Sequence, residues 1–235
     1  MSTDISLQTT TYQVGNKQWL LQEPDVKLNV TLDISKFSQN EAQKITVDAT
    51  GGTFTLTYAG QTTSALAYNI SAANLQTAIA GLSTVGAGNV SVSGSDGGPF
   101  TVTFIGTLGS QDVPLLTANS ASLTGNTHTA TIVTVTPAHY ANGYIPSGTA
   151  IGKVTATSLF GPYDDAASDG RQTLYGFTYA DVRVVHQNGT VATKVGTGAV
   201  VNDTIISTGK LPFQSGSGSL DANGKADVPT IRYEA

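Results

Sequence analysis

The chain has no cysteine, one tryptophan and one methionine in 235 residues, and only 11% of it is charged. Without cysteine there is no disulfide framework and no thiolate metal site, which suits a protein made in a reducing cytoplasm. Lys and Arg number 11 against 16 Asp and Glu, for a net charge of −5, and no run gathers them into a basic patch. That balance argues against nucleic-acid binding. No apolar run approaches the roughly 20 residues a membrane helix needs. The opening MSTDISLQTT lacks the basic segment and apolar core of a secretory signal, so the expectation is a protein without a membrane partner.

Signatures of chemistry are equally sparse. His128, His139 and His186 stand far apart, in neither an H-x-x-x-H nor an H-E-x-x-H pattern. No G-x-S-x-G elbow stands between a strand and a helix. Two loops concentrate oxygen ligands: Asp164, Asp165 and Asp169 in PYDDAASDG, and Asp221, Asn223 and Asp227 in DANGKAD. Neither has the alternate-position ligands and distal Glu of an EF-hand, and Asp and Asn also close turns on their own backbone. The turn reading is preferred for both. The expectation is a protein with no catalytic residues, no metal site and no cofactor, and not an enzyme.

What is present is Thr, Ser, Gly, Val and Ala, with 39% hydrophobic residues, a mixture that favours strands and turns. Met1–Asn16 is polar and without period, and is followed by Trp19-Leu20-Leu21 and Pro24. In VKLNVTLDISKF, Leu28, Val30, Leu32 and Ile34 alternate with polar residues, which predicts a half-buried strand over 26–37. From Glu41 to about Val135 the texture changes. Ile45–Ala49 and Thr53–Tyr58 read as a hairpin about Gly51-Gly52. Ser71–Leu82 reads as a helix, with Ser71 as N-cap and Leu75, Ala78, Ile79 and Leu82 on one stripe. Strands follow at Val90–Val92 and Phe100–Ile105, with further candidates at Val113–Leu116 and Ala130–Val135. After Pro137 the first texture returns. Thr149–Leu159 reads as a strand between turns, Thr173–Tyr179 and Asp181–Val185 as strands, and Asn188-Gly189 as a hairpin turn. Asp221–Asp227 reads as a polar turn.

The stretch GTAIGKVTATSLFGPYDDAASDGRQTLYGF resembles the lambda-type head decoration proteins of tailed phages. That family carries a G-T-hydrophobic-hydrophobic-G-K strand, a G-P-Y type corner and an acidic, Ala-rich loop closed by D-G. An alternating strand such as VTLDIS usually precedes it closely. The segment GGTFTLTYAGQTT, NISAANLQTAIAGL, GAGNVSVSG and PFTVTFIGTLGSQDVPLLTA is similar to a module repeated in phage structural proteins. Together they imply a mainly β chain: a small decoration domain from 1–38 and 137–235, with an N-terminal arm over 1–24. It is interrupted by an inserted antiparallel sheet with one helix, β-β-α-β-β, over 39–136. The resemblance implies a homotrimer on the outer surface of the phage head, at threefold and quasi-threefold positions. There it would clamp the major capsid protein after expansion and resist the pressure of packed DNA.

The capsid-binding residues expected from this reading are Thr9, Thr10, Thr11, Tyr12, Val14, Trp19, Leu20 and Leu21, with Trp19 and Leu20 as anchors. A strand added to a capsid-protein edge is the mode of contact such an arm suits. The Tyr residues of the decoration-like part (140, 144, 163, 175, 179 and 233) suit either strand packing or an interface. The Thr/Ser/Asn-rich insert leaves open a second role in virion-surface adhesion, binding host glycans. Its aromatics (Phe54, Tyr58, Tyr68, Phe100 and Phe104) lie mostly in alternating strands, where burial is expected.

Overall fold

The computed structural model describes residues 17–125 and 127–235. The chain is mainly β, with two α-helices among the described residues. Thr9, Thr10, Thr11, Tyr12 and Val14 lie outside them.

Five strands close into a barrel in the order Ala150–Lys153, Phe160–Pro162, Leu28–Asp33, Lys194–Val200 and Leu174–Thr178. The alternation in LNVTLD works as expected: Val30 and Leu32 are buried, while Asn29 and Thr31 face solvent. The strand is shorter than its pattern, because Asp33 accepts the Ser35 N–H and starts a 3₁₀ turn over Ile34–Lys36. Leu32 lies opposite both Phe160 and Val195, so this strand joins the two halves of the barrel wall. Neighbouring residues point to opposite faces of a strand. Ile151 and Ala199 accordingly enter one apolar cluster with Val30, Leu32 and Phe160. Their neighbours Ala150 and Val200 enter a second, with Trp19, Phe177, Ile206 and Val228. Part of the barrel wall is therefore buried on both faces. Its outer face is covered by a three-stranded sheet, Leu20–Gln22, Ile205–Ser207 and Arg232–Glu234.

Residues 42–136 pair among themselves. Thr129–Thr136, Ala42–Asp48, Phe100–Phe104 and Val90–Gly94 form one sheet. A second gathers short strands on both sides of Gly51–Tyr58. Between them lies one cluster that includes Ile45, Phe54, Leu56, Phe100 and Phe104. The helix Ala72–Ala80 adds Leu75 and Ile79 to it, and Ser71 caps it by accepting the Asn74 N–H. Replacing Ser71 with Ala removes that acceptor; the expected cost is about 1 kcal/mol in urea unfolding monitored by circular dichroism.

Several expectations are corrected. Ala42–Asp48 and Gly51–Tyr58 are not a hairpin; they belong to different sheets. Gly52, at φ +82°, turns the chain so that it pairs with Leu123, and a Cβ there would lie 2.1 Å from the Ser122 carbonyl oxygen. The helix ends at Ala80 with Gly81 as its C-cap, short of Leu82. Val113–Leu116 is not a strand; the strand lies just beyond, at Thr117–Asn119. Thr149–Leu159 is not one strand, because the Ser158 N–H donates to Val154 O and the Val154 N–H to Leu159 O, folding 154–159 into a turn. Asp221–Asp227 is not a plain turn. Ala222–Asp227 is a short helix, capped by Asp221 accepting the Gly224 N–H.

Candidate functional site

The N-terminal segment is held to the barrel by its tryptophan. Trp19 is 1% exposed. Its ring lies 5.9 Å from Phe177, and its Nε1–H donates to Ser147 Oγ at 3.0 Å. Ser147 Oγ in turn donates to Tyr179 O, and Asp181 Oδ1 accepts the Ser147 N–H. Gly148, at φ +87°, leaves room for the indole: a Cβ would lie 2.9 Å from the ring. This corrects the expectation that Trp19 is a surface anchor, because the side chain is committed to its own core. Leu20 is half-buried and packs against the same cluster.

The exposed apolar groups lie just beyond. Leu21 is 53% exposed, Val26 59% and Leu28 40%. Of the polar side chains between them, Glu23 and Lys27 are engaged within the chain. Lys27 Nζ and Glu23 Oε2 are 3.0 Å apart. The Tyr179 hydroxyl donates to Glu23 Oε1 at 2.7 Å. Lys17 Nζ lies 3.4 Å from the Tyr179 ring centroid and Lys27 Nζ 4.6 Å. The Tyr179 hydrogen bond, followed by Lys27, holds the Glu23 carboxyl below its ordinary range. Leu21, Val26 and Leu28 thus offer exposed apolar area beside a Glu23–Lys27 pair that is satisfied within the chain. Leu21 was named from the sequence; Val26 and Leu28 were missed there because alternation reads them as inward-facing.

The residues that carry the family resemblance form a structural corner. Gly152 and Gly161 face one another across the strand pair. A Cβ on Gly152 would lie 2.5 Å from Arg171 O, and one on Gly161 2.6 Å from Arg171 Cδ. The two glycines thus make the notch in which Arg171 lies. Asp169 accepts from Arg171 Nε at 3.0 Å and Lys36 Nζ at 3.1 Å, while Arg171 donates to Pro162 O. These partners outweigh desolvation and hold the Asp169 carboxyl below its usual range. Gly152→Ala would press on the Arg171 backbone, which cannot rotate away. The expected loss is about 1–3 kcal/mol, read from the denaturation midpoint at unchanged m.

Both acidic loops serve turns and packing. Asp164 accepts the Ala166 N–H, Asp165 accepts from Asn223 Nδ2, Asp221 accepts from the Tyr163 hydroxyl, and Asp227 accepts the Leu174 N–H. They border a groove of about 390 Å³ lined by Tyr163, Gln214, Ser219 and the three carboxylates Asp164, Asp165 and Asp221. No group of three or more His, Asp or Glu gathers in metal-binding geometry among the described residues. Burial and the Asp221 contact push the Tyr163 phenol up. Tyr140 and Tyr163 are core residues; Tyr144, Tyr175, Tyr179 and Tyr233 are half-buried.

Two buried titratable groups escaped the sequence pattern. Glu41 is buried without a cation beside it among the described residues. It accepts from the Val113 N–H, Gln43 Nε2 and Thr134 Oγ1, and burial raises its carboxyl above the ordinary range. His139 is buried between Phe37 and Phe213, its ring near-perpendicular to both. Its Nδ1 accepts the Ser38 N–H, so Nε2 carries the proton and donates to Ser217 O. Ser217 Oγ is 3.4 Å from Nε2. Because that nitrogen is a donor, the pair is not poised for a base to activate a serine.

No protein-family description matches the chain, and no curated protein does. Among solved structures, a chain from Mycobacterium phage Patience is similar over 61% of this chain, at 24% identity and a TM-score of 0.34. The match spans 53%, about half, of that chain's length.

Proposed function

We propose that this chain is a head decoration protein of a tailed phage, a homotrimer on the outside of the expanded shell that ties neighbouring major capsid protein subunits together. One observation carries the reading. The two separated pieces of the resemblance, the strand at 28–33 and the motif at 150–171, build one closed barrel and meet at Leu32 and Phe160. Gly152, Gly161 and Asp169 of the motif have a shared purpose there, the seat of Arg171. The work is mechanical and asks for adhesive surface.

The docking surface in this reading is Leu21, Val26 and Leu28, together with the arm residues before Lys17. Three copies binding at once gain from effective concentration, so each contact can be weak. Residues 39–136 form an inserted body that projects away from the shell. The test is co-sedimentation of three proteins with expanded heads: the full chain, a chain beginning at Lys17, and the full chain carrying Leu21→Asp and Val26→Asp. The full chain is expected to saturate the heads and both variants to bind less. Equal binding by all three would remove this segment from the account.

The glycan-binding reading of the insert is less favoured. Phe54, Tyr58, Phe100 and Phe104 are all buried, which withdraws them as stacking platforms for sugar rings.

A further inference from the structure

The chain leaves the barrel after Phe37, runs through 42–136 and returns at Pro137. His139 sits where these two crossings meet. Its backbone N–H donates to Ser38 O at 2.8 Å, and its Nδ1 accepts the Ser38 N–H at 3.0 Å, so one residue grips both polar groups of Ser38. Its Nε2 donates to Ser217 O at 3.0 Å. The Ser217 N–H donates to Val135 O, near the end of the strand Thr129–Thr136 and just before the return crossing. Ser38 Oγ donates to Asn40 O and accepts the Asn40 N–H, continuing the hold along the outgoing crossing. Outgoing crossing, returning crossing and the 213–219 loop are therefore buckled through a single imidazole.

We infer that His139 is an acid-released latch that fixes the 42–136 body against the barrel and frees it when the ring takes up a proton. The reason is geometric. An imidazolium has two N–H donors and no acceptor. Protonated at Nδ1, the ring would set its own N–H against the Ser38 N–H, in a pocket flanked by two phenyl rings. Only the Ser217 carbonyl favours a positive ring, and it does not offset burial. The 213–219 loop has no charged side chain, Lys36 on the 34–36 turn is bound to Asp169, and the guanidinium of Arg171 also opposes a positive ring. Burial, ahead of Arg171, lowers the imidazole from 6.5 to about 4. In the opened form the ring titrates near its ordinary value. Opening therefore takes up a proton between pH 6.5 and 4: it is disfavoured above that window and promoted as the pH falls through it. The opening constant should rise on the order of a hundredfold between pH 7 and pH 4.

Amide exchange on the intact protein, expressed as protection factors at Ser38 and Ser217, tests this. Trp19 emission, read in the same samples, reports whether the barrel core stays closed. Protection at both amides should fall on the order of a hundredfold from pH 7 to pH 4 while Trp19 emission holds. His139→Asn offers a neutral side chain at the same place and should flatten the pH dependence. Protection that is constant to pH 4, that is lost only together with Trp19 burial, or that retains its pH step in a folded His139→Asn protein would overturn the latch.

Discussion

Trp19→Ala should destabilise the protein by about 4 kcal/mol, the range for removing a large buried aromatic side chain. Three contributions act together. The indole is enclosed with Phe177 and the residues around it, so its removal leaves a cavity that the barrel wall cannot fill. Ser147 Oγ loses the Nε1–H that it accepts, although it keeps its own bond to Tyr179 O. The Ser207 N–H also donates to Trp19 O, so a loosened residue 19 strains the adjoining sheet. Trp19→Phe retains much of the ring and should cost about half as much. Leu21→Ala, two residues away and exposed, should stay within about 0.5 kcal/mol of the parent. The contrast is the useful readout in urea unfolding followed by circular dichroism. If Trp19→Ala were as mild as Leu21→Ala, Trp19 would be an anchor after all.

The second large effect falls on binding rather than stability. Leu21→Asp with Val26→Asp should leave the melting temperature within a few degrees and weaken head binding by at least a hundredfold. Burying an exposed Leu or Val contributes about 1.5–3 kcal/mol. Two such groups therefore account for roughly two to four decades of affinity per site, since about 1.4 kcal/mol is tenfold. Both side chains are more than half exposed, so a carboxylate in their place meets water in the free protein. On a capsid surface the same carboxylates would be desolvated without a partner, which adds to the loss. Binding isotherms on heads, with the melting curve as control, separate this from misfolding. An unchanged isotherm would place the contact elsewhere on the protein.

Legibility in the sequence followed burial geometry. LNVTLD is half-buried, so its alternation showed the strand. Ala150, Ile151 and Gly152 are all buried, so that strand has no period, and the run beyond it read as a continuation although it folds back at Ser158. The six-residue helix Ala222–Asp227 was hidden because Asn and Gly are poor helix formers; the Asp221 cap and the Tyr163 contact support it. Trp19 beside a polar tail suits a core or an interface equally well. What decides it lies 128 residues on, at Ser147, a distance no local pattern spans. His139 was opaque for the same reason: both its ring nitrogens engage backbone groups, which carry no sequence signature.

The central claim, that the chain is a head decoration protein, is tested most directly by light scattering of the purified chain, repeated with expanded tailed-phage heads. A particle with the mass of three chains, which co-sediments with the heads and saturates in multiples of three, is the predicted result. A monomer that stays in the supernatant would contradict it.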